Sequence, residues 1–134
     1  MLEYLLDTNI VIYTMKNRPE RVKQRFKQQE GRMAVSTVTV GELVYGAEHS
    51  RHPQQNLSDI EAMLARLDVL PFDNKAAYHF GRIRAVLHAS GEPIGAYDMM
   101  LAGQARAHGL ILVTNNRNEF DRVPSLMLED WSKE

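Results

Sequence analysis

The sequence has no cysteine and no excess of charge of one sign. The absence of cysteine excludes disulfides, zinc–thiolate sites and thiol nucleophiles. The 16 basic and 17 acidic residues leave a formal net charge of −1. This balance argues against a protein that simply coats nucleic acid, because such proteins are strongly basic. It leaves room for a local basic surface elsewhere on the chain.

Long apolar runs are also absent, since no stretch approaches the roughly 20 residues that cross a bilayer. The first residues include Glu3 and Asp7 and lack a basic start followed by a long apolar core, so no secretory signal is expected. We therefore expect a cytoplasmic protein without membrane contact. A composition of 44% hydrophobic and 25% charged residues over 134 positions predicts one domain spanning residues 1–134.

Three common kinds of functional site are missing from the sequence. No pair of histidines four residues apart encloses a glutamate, so a zinc-protease site is unsupported. Ser36 and Ser90 lack the context of a nucleophile elbow, and there is no glycine-rich phosphate loop.

The sequence alternates short apolar segments with amphipathic ones. Strands are predicted at residues 1–6, 33–36, 68–72, 110–114 and 126–128. Helices are predicted at residues 8–15, 22–30, 40–47, 57–67, 76–87 and 97–109. The alternation indicates an α/β protein with three layers, in which helices flank a central, mostly parallel β-sheet. Pro71 places the third strand at an edge, because proline cannot donate to a central ladder.

Acidic and polar side chains follow the predicted strand ends. Asp7 comes directly after the first strand, and parallel sheets bind ligands at the carboxyl ends of their strands. Each candidate alone has a purely structural explanation. Asp7 and Asp98 are each suited to cap a helix, and Glu42 has the spacing of a capping box with Thr39.

Taken together, the candidates predict one shared site. Carboxylates held within a few ångströms repel one another, and a bound cation relieves that repulsion. Oxygen ligands suit Mg²⁺ or Mn²⁺, which would activate a water molecule for attack on a phosphodiester. The residues that end the fourth strand, Thr114 and Asn116, and the following Glu119 are expected at the same edge, whereas Glu129 and Asp130 are expected at the surface.

A basic segment runs from residue 16 to residue 32. It contains Lys16, Arg18, Arg21, Lys23, Arg25, Lys27 and Arg32, against only two glutamates. Two interpretations stay open: a solvated helix face, or a contact surface for RNA phosphates. The aromatic residues Tyr45, Tyr97, Phe120 and Trp131 are expected to pack rather than to stack on bases.

Four segments resemble the signature segments of PIN-domain ribonucleases, and more narrowly of the VapC toxins of bacterial toxin–antitoxin modules. They are residues 5–10 (LLDTNI), 36–47 (STVTVGELVYGA), 93–105 (PIGAYDMMLAGQA) and 112–120 (LVTNNRNEF). The resemblance runs essentially from end to end. Each motif alone is weak, but the ordered set is specific.

The resemblance implies a PIN-like fold and a set of site residues. Asp7, Glu42 and Asp98 correspond to the acidic triad around Mg²⁺ or Mn²⁺, with Asp7 and Asp98 as metal ligands. The family commonly has a fourth acid where this chain has Asn116, so Glu119 is expected to be the fourth catalytic group, with Asn116 assisting. Supporting roles are implied for Thr8, Asn9 and Thr114.

The resemblance also implies an activity and partners. Metal-activated water would cleave RNA internally and leave a 5′-phosphate and a 3′-hydroxyl. The expected substrate is tRNA, with the anticodon stem-loop of the initiator tRNA as first choice, so that translation stops. A homodimer and a neutralising VapB antitoxin are implied, within a larger hetero-oligomer.

Two other functions remain open from the residues. An aspartate-based phosphotransfer domain also has an Asp after an early strand, but a phosphatase of that type has a second Asp where this chain has Asn9. A catalytically silent PIN-like module that binds RNA or protein is the other alternative. Intact Asp7, Glu42 and Asp98 argue against it.

Overall fold

A five-stranded parallel β-sheet lies at the centre of the computed structural model, which describes residues 1–16 and 18–133. The strands are β1 (Tyr4–Leu6), β2 (Met33–Ser36), β3 (Asp68–Leu70), β4 (Ile111–Val113) and β5 (Leu128–Glu129). Their order is β3-β2-β1-β4-β5, and each neighbouring pair is parallel. The predicted parallel α/β fold is confirmed, and β3 lies at an edge as Pro71 indicated.

Seven helices are described. They are α1 (Thr8–Met15), α2 (Glu20–Gln28), α3 (Thr37–Glu48), α4 (Pro53–Leu64), α5 (Asn74–Ala89), α6 (Ala96–Ala107) and α7 (Arg117–Phe120). The sequence predicted all but α7, whose single turn is too short to show helical periodicity. Gly91 and Gly109 follow the ends of α5 and α6 with φ of 73° and 65°, a backbone conformation that glycine adopts without strain. No helix within residues 1–16 and 18–133 is long and apolar enough to cross a membrane.

Two hydrophobic cores cover the two faces of the sheet. Successive strand residues point to opposite faces, and both Leu5 and Leu6 of β1 are fully buried. Leu6 packs in the core with Ile10 of α1, whereas Leu5 packs in the other core with Leu101 of α6. The sheet is therefore the middle layer of three, and its short strands are buried throughout at β1, β2 and most of β4.

The junction between β2 and α3 differs from the prediction. Ser36 caps α3, because its backbone is extended and its Oγ accepts a hydrogen bond from the Val38 amide at 3.0 Å. Thr39 lies inside the helix and is fully buried. The predicted capping box of Thr39 and Glu42 is therefore wrong, and Glu42 is left available for other contacts.

Smaller differences concern two element ends. The last strand was predicted at residues 126–128 but lies at Leu128–Glu129, where its residues pair with β4. Leu67 was included in the fourth helix but lies beyond the end of α4 at Leu64. Both apolar segments contact the core from outside a regular element, which hydrophobic periodicity does not distinguish from a helix or a strand.

Helices α5 and α6 form a closely packed antiparallel pair on one face of the sheet. Gly103 of α6 allows this approach, because a Cβ there would lie 2.7 Å from the Phe80 backbone nitrogen. Asp98 lies in the first turn of α6, near the carboxyl edge of the sheet, whereas Arg106 lies in its last turn. The helix therefore connects two differently charged regions of the surface.

Candidate active site

Four acidic side chains gather at the carboxyl edge of the sheet. Asp7 follows β1, Glu42 lies on α3, Asp98 on α6 and Glu119 on α7. The negative charges of Glu119, Asp7 and Glu42 all act on Asp98. The structure thus brings together the candidates that the sequence placed at separate strand and helix ends.

Asp7 combines a structural role with a place in the acidic cluster. It is 4% exposed, and its Oδ1 accepts a hydrogen bond from the Ile10 amide at 2.9 Å, which caps α1. Burial raises the pKa of Asp7 to about 6, hydrogen bonds from Thr114 and Ile10 oppose this rise, and nearby Glu42 adds to it. Asp7 therefore both caps α1 and belongs to the acidic cluster.

Asp98 is a member of the cluster rather than a helix cap. Gly95 occupies the N-cap position of α6, so Asp98 lies in the first helical turn. The pKa of Asp98 is raised to about 6. Burial is the largest cause, and the charge of Glu119 and a side-chain hydrogen bond with Glu119 raise it further.

A threonine orients Glu42 within the cluster. The Thr8 hydroxyl lies 2.7 Å from Glu42 Oε1 and 3.2 Å from Thr39 Oγ1. Thr8 donates to the carboxylate, and the buried Thr39 holds Thr8 from the other side. The motif after β1 therefore supplies both an acid and the hydroxyl that positions a second acid.

Asn116 positions Glu119 through its side-chain amide. Its Nδ2 donates to Glu119 Oε2 at 2.9 Å, and its backbone N–H donates to Thr114 Oγ1 at 3.0 Å. Thr114, which also hydrogen-bonds Asp7, thereby links the first acid to the last. Asn9 is different, because it is exposed and its side chain has no hydrogen-bond partner among the described residues.

Asp130 is a further acid near the site that sequence reasoning assigned to the surface. Its charge helps to raise the pKa of Asp7. Its Oδ1 accepts hydrogen bonds from Ser132, and its Oδ2 is buried without a partner. The signal was present, because Asp130 directly follows a strand, but the predicted strand ended one residue too early to show it.

Two arginines of the basic segment at residues 16–32 pair with acidic residues. Arg25 pairs with Glu129 at 3.0 Å, and Arg32 pairs with Glu3 at 2.9 Å. Arg25 also lies over the ring of the buried Trp131, at 5.3 Å. These contacts give Arg25 and Arg32 a structural role.

Two of the four aromatic residues expected to pack are exposed instead. Phe120 and Trp131 are buried, but Tyr45 is 70% exposed and Tyr97 is 57% exposed. Tyr45 lies on the outer face of α3, and Tyr97 immediately precedes Asp98 on α6. The expectation of packing was wrong for these two residues.

The donors in the cluster suit a hard divalent cation. They are carboxylate oxygens, and their mutual repulsion is the kind that a bound Mg²⁺ or Mn²⁺ relieves. Within residues 1–16 and 18–133, no three acidic or histidine side chains form a ready coordination shell. Mg²⁺ usually binds through one or two carboxylates and keeps several waters. Two carboxylates, such as those of Asp7 and Asp98, are therefore enough protein ligands for Mg²⁺.

Fold and site together define a class: a parallel α/β protein with a carboxylate cluster at the sheet edge, as in PIN domains. The sequence matches the PIN domain family over residues 4–126. It is 53% identical to the tRNA(fMet)-specific endonuclease VapC of Shigella flexneri, over 98% of this chain and 100% of that protein.

Solved structures agree with this classification. VapBC of Salmonella typhimurium, in a DNA-bound crystal structure, contains a chain with 49% identity and a TM-score of 0.94, over 98% of this chain and 99% of that one. VapBC-1 of nontypeable Haemophilus influenzae gives 36% identity and a TM-score of 0.90, over 98% and 100%. The chain belongs to the PIN-domain family and, within it, to the VapC proteins.

The raised pKa values predict how stability changes with pH in the metal-free protein. Asp7 and Asp98 shift from 3.8 to about 6, so between about pH 4 and pH 6 the folded chain binds more protons than the unfolded chain. Stability contributed by these groups therefore falls as the pH rises through that interval. Asp98→Asn should raise the free energy of unfolding at pH 8 by about 1 kcal/mol, a value reduced for partial exposure, and by almost nothing at pH 4.

Urea denaturation in EDTA at both pH values measures this difference. Asp121→Asn is the control, because Asp121 is exposed and outside the cluster. An Asp98→Asn variant that is no more stable than the unmodified chain at pH 8 would show that burial and repulsion do not destabilise the charged carboxylate of Asp98.

Proposed function

We propose that this chain is a metal-dependent endoribonuclease and the toxin of a toxin–antitoxin module. The observation that carries the proposal is the convergence of Asp7, Glu42, Asp98 and Glu119 at one edge of the sheet, with a raised pKa at Asp7 and Asp98. Such carboxylates are unfavourable to each other without a cation, so the cluster is best explained by one. VapC relatives named as ribonucleases support the activity.

The four acidic residues have different roles in the proposed reaction. Asp7 and Asp98 would hold Mg²⁺, or Mn²⁺ in its place, since they come from the two most firmly anchored elements, β1 and α6. When bound, the metal lowers the pKa of a water molecule and neutralises charge on the phosphodiester. Glu42, held by Thr8, or Glu119, held by Asn116, would accept a proton from the attacking water.

The proposed substrate is tRNA, specifically the anticodon stem-loop of the initiator tRNA. Support comes from the relatives named tRNA(fMet)-specific endonuclease, which are 53% and 49% identical to this chain. Hydrolysis by a metal-bound water would leave a 5′-phosphate and a 3′-hydroxyl. Loss of the initiator tRNA would stop translation in the cytoplasm, where the tRNA is used.

A VapB-type antitoxin and a second copy of the chain are the proposed protein partners. Structural relatives are VapBC assemblies, at up to 49% identity in those cited. A groove of about 720 Å³ between α1, α3 and α4 includes both Thr8 and Glu42 in its lining. An antitoxin segment in this groove would bring an arginine to the acidic edge, where guanidinium matches carboxylate geometry.

The proposal predicts that metal and acids are both required for cleavage. The purified chain, free of antitoxin, should cleave tRNA with Mg²⁺ or Mn²⁺ and lose activity in EDTA. Asp7→Asn and Asp98→Asn should each lower the rate at least about 100-fold, since each removes a charged metal ligand. Asparagine also caps helices, so Asp7→Asn should keep α1 and the fold intact.

Circular dichroism and gel analysis of cleaved RNA measure fold and activity separately. Asp121→Asn, a matched change outside the cluster, should retain full activity. Activity that survives EDTA or both substitutions would contradict the metal mechanism. Stable aspartyl-phosphate at Asp7 would favour a phosphotransfer domain, and tight tRNA binding without any cleavage would favour a silent module.

A double-mutant cycle tests whether Glu119 is the fourth catalytic group and Asn116 only positions it. Glu119→Gln removes a charge, whereas Asn116→Ala removes only the amide that holds Glu119 at 2.9 Å. We expect Glu119→Gln to lower kcat more, Asn116→Ala to lower it about tenfold, and the double variant to match Glu119→Gln. Additive losses, measured under single-turnover conditions, would mean that Asn116 acts independently of Glu119.

A further inference from the structure

A second charged cluster, of opposite sign, lies on the surface formed by α5 and α6. It consists of Lys75, His79, Arg82 and Arg106, and is called the α5–α6 basic cluster below. The first three are spaced by four and three residues on α5, which places them along one side of that helix. Arg106 reaches them from the last turn of α6. Neither the sequence motifs nor the proposed chemistry uses these residues.

The geometry of the cluster is fixed by the contact between Arg106 and His79. Arg106 Nε donates to His79 Nδ1 at 2.9 Å, and Arg106 Nη1 donates to the Pro124 carbonyl at 3.0 Å. Because His79 Nδ1 accepts a hydrogen bond, the imidazole proton lies on Nε2, which remains a donor. The close packing of α5 and α6 at Gly103 keeps both helices in this relation.

The cluster lacks matching acidic residues. His79 has a lowered pKa because of burial and then because of the charges of Arg106, Arg82 and Lys75. Among the described residues no carboxylate forms an ion pair with Lys75, Arg82 or Arg106. The nearby Asp73 is already engaged, since it caps α5 at Ala76 and pairs with His108 at 3.0 Å. This contrasts with the basic segment at residues 16–32, where Arg25 and Arg32 have acidic partners.

We propose that the α5–α6 basic cluster binds the phosphodiester backbone of the RNA substrate, away from the acidic edge. The inference rests on the proposed ribonuclease function and extends it. A chain of net charge −1 with an acidic centre repels RNA unless basic groups elsewhere attract the phosphates. The unpaired cations of this cluster meet that need, and the imidazole Nε2–H adds a hydrogen-bond donor for a phosphate oxygen.

The distance to the acidic edge suits one RNA strand. Asp98 and Arg106 are eight residues apart on α6, which corresponds to about 12 Å along the helix axis. A B-form duplex rises about 3.4 Å per base pair along its axis, so this distance corresponds to three to four base pairs of a stem. A second copy of this chain is a poor alternative occupant, since a two-fold interface would place like charges opposite each other.

The test compares two sets of arginine and lysine changes on the same helix. Lys75→Ala with Arg82→Ala removes two exposed cations of the cluster, while Arg84→Ala removes an exposed arginine on a different side of α5. Steady-state cleavage of tRNA and binding in EDTA are measured from 50 to 200 mM salt. The double variant should raise KM and Kd about tenfold with kcat unchanged, and should flatten the slope of log Kd against log salt by about 2.

Arg84→Ala should behave like the unmodified chain in every measurement. The proposal is overturned if the double variant binds tRNA with unchanged affinity and salt slope, or if Arg84→Ala loses as much as the double variant. The proposal would also be overturned if the double variant lost antitoxin binding and kept its affinity for tRNA. The cluster would then bind an acidic segment of a protein instead of RNA. If the unmodified chain cleaves no RNA, the proposed ribonuclease function is wrong. The binding measurements in EDTA then still show whether the α5–α6 basic cluster binds RNA.

Discussion

Repulsion among the carboxylates at the edge of the sheet is the constraint on which the rest of the structure depends. Asp7, Glu42, Asp98 and Glu119 come from four different elements, and burial, followed by the charges of the other three acids, raises the pKa of Asp98. They stay together because β1 is buried on both faces and α6 is buried along much of its length. The two hydrophobic cores therefore stabilise an arrangement that electrostatics alone opposes.

Hydroxyl and amide groups set the geometry of the acids inside that framework. Thr114 contacts both Asp7 and the Asn116 backbone, and Thr8 holds Glu42. These neutral groups add no further charge to the edge while they restrict where the carboxylates point. A cation that binds there would meet side chains whose orientation is already limited, so less conformational entropy is lost on binding.

The parts of the fold and site that the sequence predicted depend on periodic or strongly local signals. Alternating apolar segments predicted the parallel sheet, and the abrupt change from apolar strand to acid identified Asp7. Ser36 was missed as the cap of α3, because Ser36 and Thr39 both have capping chemistry and only the strand end decides between them. Asp130 was missed because its position depends on the pairing of β5 with β4, a contact between distant residues.

Charge was the property that the sequence predicted least well. In the most basic stretch of the sequence, Arg25 and Arg32 pair with acids from distant segments, Glu129 and Glu3. The α5–α6 basic cluster was invisible in the sequence because Arg106 joins His79 only through helix packing. Linear charge density therefore does not show which cations lack acidic partners, because that depends on tertiary contacts.

Direct titration of the antitoxin-free chain with Mn²⁺, followed by electron paramagnetic resonance, tests the central claim most directly. The account predicts saturable binding at the acidic edge, competed by Mg²⁺, that is lost in Asp98→Asn and kept in Asp121→Asn. Absence of saturable binding, or binding that Asp98→Asn leaves unchanged, would contradict it. In that case the gathered carboxylates would need an explanation other than a metal.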